Sequence, residues 1–182
     1  MGQPKLTLPW GGSTVLGQVL STFAAAGIED ILVVTGGARD QIEKAVSQAV
    51  DRVPIRTTYN PDHGRSGMLS SIQCGLTEQS STAFAALIAL GDQPQVRVET
   101  IQRISNAFFE TNSPLVIPSF QGRRGHPWLV ARYLWPEILA LPASITPRQF
   151  LSAHAGQIEY VLADKSTLQD LDTPEDYDSQ RP

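Results

Sequence analysis

Cysteine is almost absent from this 182-residue chain, which contains only Cys74. A single thiol cannot form an internal disulfide, and this usage is typical of proteins from the reducing cytoplasm. No apolar run reaches the roughly 18 residues that a membrane span needs. The first residues also lack the basic and apolar pattern of a signal peptide. We therefore expect a cytoplasmic protein with no membrane partner.

Positive charge is also in short supply, because 14 lysine and arginine residues face 18 aspartate and glutamate residues. A net charge of −4 argues against non-specific binding to nucleic acid, which requires excess positive charge. Aromatic residues make up only 7% and are too scattered for a base-stacking platform. The chain has no CxxC, HExxH, P-loop or GxSxG motif. Enzymes and binding proteins that do not use these four motifs therefore remain possible.

What the chain does contain is a regular alternation of apolar runs and amphipathic stretches. The predicted strands cover residues 30–35, 53–59, 83–90, 115–119, 128–130 and 158–162. The predicted helices cover residues 14–26, 42–50, 66–76, 98–109, 132–139 and 147–154. This order predicts a single α/β domain over 1–182, with a mostly parallel sheet between helices and a frayed tail at 176–182. In such folds ligands bind at the carboxyl ends of the strands.

Two acidic motifs lie where a strand-end site would need them. Asp92 follows the apolar run 83–90 within LGDQP, and Asp172 lies within DLDTPED. Carboxylates at a strand end can hold Mg²⁺, which binds few protein groups and shares the rest of its shell with phosphate and water. Each motif has a structural alternative as well. Asp92 can cap the following helix, and Thr173-Pro174 with acids in the first turn is an ordinary helix start.

Three further motifs have weaker signals. The stretch NPDHGRSGMLSS offers Gly67 for close backbone approach and the hydroxyls of Ser70 and Ser71 near a helix start, which suits a nucleotide or an ordinary capped loop. Lys5, near the start of the chain, can pair with a triphosphate or simply be solvated. The third motif is QGRRGHP, where two cations, two glycines and a histidine converge. Guanidinium groups there can bind phosphate, or the segment can be a solvated turn with a packed histidine.

Taken together and in order, these motifs resemble the molybdenum cofactor nucleotidyltransferases, above all the cytidylyltransferase and MobA-like branch. The resemblance rests on Lys5 with LPWGG, then VVTGG, NPDHGRSGMLSS, LGDQP, GRRGHP and DLDTPEDY, and it covers nearly the whole chain. It implies a Rossmann-like three-layer α/β fold. It also implies transfer of a nucleoside monophosphate from CTP or GTP to molybdopterin or its molybdenum form, with Mg²⁺ required and pyrophosphate released.

The resemblance also assigns roles to individual residues. Lys5 would contact the nucleotide phosphates and act in catalysis with Asp92, which would hold Mg²⁺ together with Asp172. The nucleotide pocket would be lined by Gly67, Ser70 and Ser71. The residues facing the pterin would be Arg123, Arg124, Gly125 and His126. A molybdoenzyme apoprotein is a further expected partner.

The chain departs from the family pattern at its start. The family begins with an apolar strand and a Gly-rich loop of the type LAAGxSxRMG, and here only a Met-Gly resembling the end of that loop is present. Loss of a central strand would leave unpaired edges in the sheet. We expect either a longer natural protein or a truncated relative with impaired catalysis. The alternatives for function are therefore a cofactor-binding or chaperone module, and a nucleotidyltransferase for another acceptor such as a sugar phosphate.

Overall fold

The computed structural model describes residues 4–49, 53–65 and 67–182. Its α-helices are α1 (Val15–Ala25), α2 (Arg39–Ser47), α3 (Gly67–Thr77), α4 (Val98–Thr111), α5 (Trp135–Ala140), α6 (Pro147–Ala153) and α7 (Pro174–Gln180). Its strands are β1 (Pro9–Trp10), β2 (Ser13–Thr14), β3 (Ile31–Thr35), β4 (Ile55–Tyr59), β5 (Ala85–Ile88), β6 (Leu115–Phe120), β7 (Arg123–Arg124), β8 (Trp128–Ala131) and β9 (Ile158–Leu162). Within the described ranges, no helix is long and apolar enough to cross a membrane.

The α/β class is confirmed, and the sheet is mixed. β3 pairs with β4 in parallel, and β6 pairs with β9 in parallel. β8 lies between β5 and β6 and runs antiparallel to both, so the main sheet has the order β5-β8-β6-β7 with β9 on the other side of β6. The short links 121–122 and 125–127 between β6, β7 and β8 are compatible with this antiparallel order, because a parallel return would need a crossover of a dozen or more residues.

Helices cover both faces of the sheet and form three layers with it. On one face α1, α2 and α4 pack against the sheet through apolar side chains such as Leu16, Ile42 and Ile101. On the other face α3, α5 and α6 bury a larger cluster that includes Leu69, Ile138 and Phe150. The helical spacing of apolar residues predicted this burial for α1, α3 and α4.

Local chemistry explains where α1 begins and ends. The Thr14 hydroxyl accepts a hydrogen bond from the Gly17 amide at 3.0 Å and caps the start of α1. Gly27 follows the helix with φ +90°, a backbone conformation that glycine adopts without steric cost.

Several predicted boundaries move by a few residues. α2 begins at Arg39, three residues before the predicted start, and positions 50 and 66 of the predictions fall outside the described residues. The helix predicted over 132–139 is divided into a 3₁₀ turn at Arg132–Leu134 and α5. Pro136 lacks the N–H that would bond back to Arg132, so a continuous α-helix is not formed across this junction.

The frayed tail at 176–182 stays a prediction, and the structure places its residues up to Gln180 in α7. Thr173 and Asp176 form a capping box at the start of that helix. Tyr177 packs beside Trp10 and Leu171, and its hydroxyl donates to the Pro9 carbonyl at 2.5 Å. These contacts connect α7 to β1.

Candidate active site

Lys5 joins two carboxylates that lie far away in the chain. Its ammonium donates to Asp92 and, at 3.0 Å, to Asp172. Asp92 is mostly buried, with 15% of its side chain exposed, whereas Asp172 is 70% exposed. Partial burial acts to lower the pKa of the Lys5 ammonium, but its two carboxylate partners outweigh this effect and raise that pKa above its usual value. The fold thus brings together the three charged residues that the resemblance assigned to catalysis (Lys5 and Asp92) and to the metal (Asp92 and Asp172).

A third carboxylate, Asp170, adds negative charge to this cluster. The Gln93 side-chain amide donates to Asp170 at 2.6 Å and to the Thr167 carbonyl at 3.3 Å. Burial raises the pKa of Asp170, and the charges of Asp92 and Asp172 act in the same direction. Gln93 therefore links the LGDQP motif to the segment that contains Asp172.

The donor set suits a divalent cation. Across 4–49, 53–65 and 67–182, no group of three or more histidine, cysteine or acidic side chains is arranged to hold a metal ion. Asp92 and Asp172 nevertheless both bind one ammonium, so their oxygens already converge on one cation. Mg²⁺ and Mn²⁺ accept few carboxylates when phosphate oxygens and water complete the shell.

A second polar cluster follows β4. Asn60 is buried, and its side-chain amide donates to the hydroxyls of Ser70 at 3.0 Å and Ser71 at 3.1 Å. Its carbonyl oxygen accepts from the Asp62 amide at 2.9 Å, an Asx turn that shapes the loop. Gly67, with φ +56°, begins α3 beside these residues. The loop and the start of α3 are thus held together by one asparagine.

His126 lies between β7 and β8, beside Ile88 at the end of β5. Its ring is stacked on Trp128 at a centroid distance of 4.3 Å. Its Nδ1 is 3.4 Å from the Ile88 carbonyl oxygen. Burial lowers the pKa of His126 to about 4, so the ring is neutral at pH 7. A neutral imidazole can donate or accept a single hydrogen bond at each nitrogen, but it supplies no charge to a phosphate.

The other residues of the GRRGHP loop are placed differently. Arg123 and Arg124 form β7 and are exposed. Arg124 donates to the Tyr160 hydroxyl at 2.8 Å. Gly125 is packed tightly, because a Cβ atom there would lie 2.5 Å from the Thr167 Oγ1. The loop therefore presents cations to solvent and is fixed through Gly125 to the same segment that Gln93 contacts.

Asn60, Gln93 and Asp170 were not identified from the sequence. Asn60 directly follows a strand and Gln93 directly follows Asp92, so position at a strand end was a usable signal for both. No feature of the sequence distinguished Asp170 from the nearby Asp172 as a candidate site residue. Only the fold shows that its carboxylate faces Gln93.

Comparison with known proteins gives a family. Residues 1–158 match the model of the MobA-like NTP transferase domain. Among similar proteins is the nicotine blue oxidoreductase of Paenarthrobacter nicotinovorans, 29% identical over 184 residues that cover 94% of this chain and 85% of that protein. A relative that is named as an oxidoreductase therefore matches this chain over most of the length of both proteins.

Solved structures support the fold. Rv0371c of Mycobacterium tuberculosis H37Rv, solved with manganese, has a TM-score of 0.75 and 25% identity, covering 98% of this chain and 91% of that one. Molybdopterin-guanine dinucleotide biosynthesis protein A of Archaeoglobus fulgidus has a TM-score of 0.68 and 16% identity, covering 98% and 89%, and shows likeness of fold alone. With most of its length matched by the family model, this chain belongs to the MobA-like NTP transferase family.

Proposed function

We propose that this protein transfers CMP or GMP from CTP or GTP to the phosphate of molybdopterin or its molybdenum form. An acceptor phosphate oxygen attacks the α-phosphorus, the bond from that phosphorus to the bridging oxygen of the β-phosphate breaks, and pyrophosphate leaves. The observation that supports this proposal best is the convergence of Lys5, Asp92 and Asp172 at one point. The reaction needs no protein nucleophile, so positioning and neutralisation of charge provide the acceleration.

In this proposal Asp92 and Asp172 hold the divalent cation, with Mg²⁺ as the expected ion. The bound cation would neutralise phosphate charge as the pyrophosphate departs. Lys5 binds the nucleotide phosphates, for which its ammonium must leave at least one carboxylate partner. Asp92 and Asp172 would hold the cation in place of the Lys5 ammonium, which would leave Lys5 free to bind the triphosphate.

The two polar loops would hold the two substrates. Ser70, Ser71 and Gly67, ordered by Asn60, are proposed to bind the nucleotide. The exposed Arg123 and Arg124 are proposed to face the acceptor, because guanidinium groups bind phosphate in a two-pronged geometry. His126 is neutral and packed, so we expect it to shape the acceptor side through stacking and one hydrogen bond.

The direct test is pyrophosphate release by the full chain with Mg²⁺ and molybdopterin, measured separately with CTP and with GTP. We expect release with one or both nucleotides, and the Asp92→Asn variant should lose about 100-fold or more of this activity. Asp30→Asn is the matched control, because Asp30 pairs with Arg56 and belongs to no part of the site. Circular dichroism shows whether both variants remain folded.

Other outcomes identify the alternatives. Turnover with a sugar 1-phosphate but not with molybdopterin would move the acceptor to another class. Pterin binding without pyrophosphate release from any nucleotide would favour a binding or chaperone module. The likeness to nicotine blue oxidoreductase gives a further candidate, an oxidoreductase, and such an enzyme releases no pyrophosphate. Full activity in Asp92→Asn would contradict the proposed mechanism.

A further inference from the structure

A cleft of about 320 Å³ lies between the start of α4 and the end of β9. Arg97 and the first two turns of α4 form one wall of the cleft, and residues 162–164 form the other. This volume is within the range of small-molecule sites in proteins. The proposed transfer reaction uses none of the residues that line the cleft. A ligand in the cleft would therefore serve a purpose that the candidate active site does not explain.

Helix α4 begins without a side-chain cap. Arg97 occupies the N-cap position, and its carbonyl accepts from the amides of Thr100 at 3.1 Å and Ile101 at 3.3 Å. The amides of Val98 and Glu99 have no hydrogen-bond acceptor among the residues that the structure describes. Free amides at the start of a helix carry a partial positive charge and bind anions.

Thr100 gives a second, independent indication of a ligand. Only 4% of this residue is exposed, and within the described ranges its hydroxyl has no hydrogen-bond partner. The hydroxyls of Thr22 and Thr111, by contrast, donate to a carbonyl one helical turn earlier. The Thr100 hydroxyl is not fully enclosed by protein, so it reaches the cleft that Thr100 lines. A buried hydroxyl without a partner costs free energy that a ligand in the cleft would recover.

Two arginines add positive charge to the same cleft. The Nε of Arg97 is 3.2 Å from the Asp164 Oδ2, and a terminal nitrogen of Arg103 donates to the Leu162 carbonyl at 3.3 Å. Each guanidinium carries five N–H groups, so most of the donors of both side chains stay available. Guanidinium groups with available donors bind the oxygens of phosphate groups.

The carboxylates beside the cleft are compatible with an anionic ligand. Asp164 Oδ1 accepts from the Ser166 amide at 2.8 Å, and Oδ2 pairs with Arg97, so both of its oxygens already have partners. Partial burial acts to raise the pKa of Asp164, but the Ser166 amide and the charges of Arg97 and Arg103 outweigh this effect and lower that pKa. Both arginines therefore already stabilise one anion. Glu99 is exposed, so solvent screens its charge.

We propose that the cleft at the start of α4 binds a phosphate group, carried either by free phosphate or by a small phosphomonoester. The groups that donate to the phosphate oxygens are the amides of Val98 and Glu99, the Thr100 hydroxyl and the guanidinium groups of Arg97 and Arg103. A phosphate group offers three strong acceptor oxygens, which suit this set of donors better than the two oxygens of a carboxylate. The proposal does not depend on the proposed transferase activity.

The test is a titration of the isotope-labelled full chain with sodium phosphate, followed by NMR at each backbone amide. Divalent cations are left out, and sodium chloride keeps the ionic strength constant. The Val98 and Glu99 amides should shift to higher proton frequency and saturate, because each gains a charge-assisted hydrogen bond. A parallel titration with glycerol 1-phosphate distinguishes the two sources. Tighter binding than that of free phosphate assigns the cleft to a phosphomonoester, and weaker binding assigns it to the free ion.

Two variants test the named donors. Arg103→Met should weaken phosphate binding by about tenfold or more, because a charged donor is lost. Thr100→Val keeps the shape of the side chain and removes the hydroxyl, so it should weaken binding by about threefold to tenfold. Arg39→Met is the matched control, since Arg39 also lies at the start of a helix and pairs there with Glu43 at 2.7 Å. This control should leave the affinity for phosphate unchanged.

Three results would each overturn the proposal. The first is the absence of a saturable shift at Val98 and Glu99 at tens of millimolar phosphate. The second is a set of shifts confined to Lys5 and the start of α3, which would place the phosphate in the candidate active site alone. The third is equal affinity of Arg103→Met and Arg39→Met, which would indicate attraction by overall charge. Arg103 is exposed, so this comparison decides even if Thr100→Val does not fold.

Discussion

At the scale of single residues, His126 connects the candidate site to the stability of the protein. Burial lowers its pKa to about 4, whereas an unfolded histidine titrates near 6.5. Between these pH values the unfolded chain binds a proton that the folded chain does not. The contribution of neutral His126 to the free energy of unfolding is therefore fully present above pH 6.5 and is lost as the pH drops toward 4. We expect His126 to lower the free energy of unfolding by about 3 kcal/mol between pH 7 and pH 4.

Urea unfolding of the wild type and of His126→Gln at both pH values checks this prediction. The variant lacks the titrating ring, so its stability should fall less over the same interval. Two other groups also have shifted pKa values. Burial raises the pKa of Asp170, whereas hydrogen bonds from Ser166 and the charge of Arg97 outweigh burial and lower the pKa of Asp164. These two carboxyl groups titrate in the wild type and in the variant alike, so the comparison isolates His126. An identical pH dependence in the two proteins would show that His126 is not held neutral.

At the scale of elements, the β7–β8 loop depends on a glycine that is packed rather than strained. The Gly125 amide donates to the Pro118 carbonyl at 2.8 Å, and its own carbonyl accepts from the Trp128 indole at 2.7 Å. A methyl group there would lie 2.5 Å from the Thr167 Oγ1 and 2.6 Å from the Thr167 carbonyl oxygen. We expect Gly125→Ala to lower the free energy of unfolding by about 1–3 kcal/mol.

Chemical denaturation measures this change, and Gly156→Ala is the matched control. No heavy atom lies within 4 Å of a Cβ at Gly156, so its effect should stay within about 0.5 kcal/mol. Gly125→Ala should also weaken binding of the acceptor, because Gly125 lies between Arg124 and His126, which we propose face the acceptor. Equal stability of the two variants would contradict the tight packing of this loop.

At the scale of the whole molecule, the described strands β3 and β4 form one sheet, and β5 to β9 form a separate, larger sheet. Among the described residues, no strand pairing joins the β3–β4 pair to the larger sheet, and Ile31 of β3 and Leu87 of β5 pack in one cluster with α1 and α4. The larger part contains the fully buried residues of β6, such as Leu115 and Ile117. Native-state amide exchange should therefore reveal β3 and β4 opening at a free energy lower by about 2 kcal/mol than β6 and β8.

Measurement at low denaturant separates local from global opening. Identical exchange free energies for β4 and β6 would show that helix packing alone makes the sheet one cooperative unit. The exchange pattern of the free protein tests the division of the sheet without reference to any ligand.

Much of the fold was determined locally. The apolar run that forms β3 has no helical period, whereas the apolar residues of α1 and α4 recur with a helical period. The bounds of all three elements were therefore predicted within one or two residues. The family was identified from motif order, and the match over residues 1–158 confirms it. The pairing of β8 was not predicted, because four apolar residues do not specify a strand direction.

The candidate site shows the same limit. Asp92, Asp172 and Lys5 were selected as residue types suited to phosphate and metal, and their roles remain predictions. Their convergence, over separations of 87 and 167 residues, is visible only in the folded chain. The burial that lowers the pKa of His126 likewise depends on Trp128 and the end of β5, which no local pattern encodes.

The sequence by itself determined the main strands and helices and the chemistry available at the strand ends, since both follow from neighbouring side chains and backbone preferences. The tertiary structure alone decided that Tyr177 of α7 packs beside Trp10, that Asn60 orders the loop with Ser70 and Ser71, and that β8 runs antiparallel between β5 and β6. These features depend on contacts between distant segments. Such contacts form only when the chain buries its apolar surface in one particular arrangement.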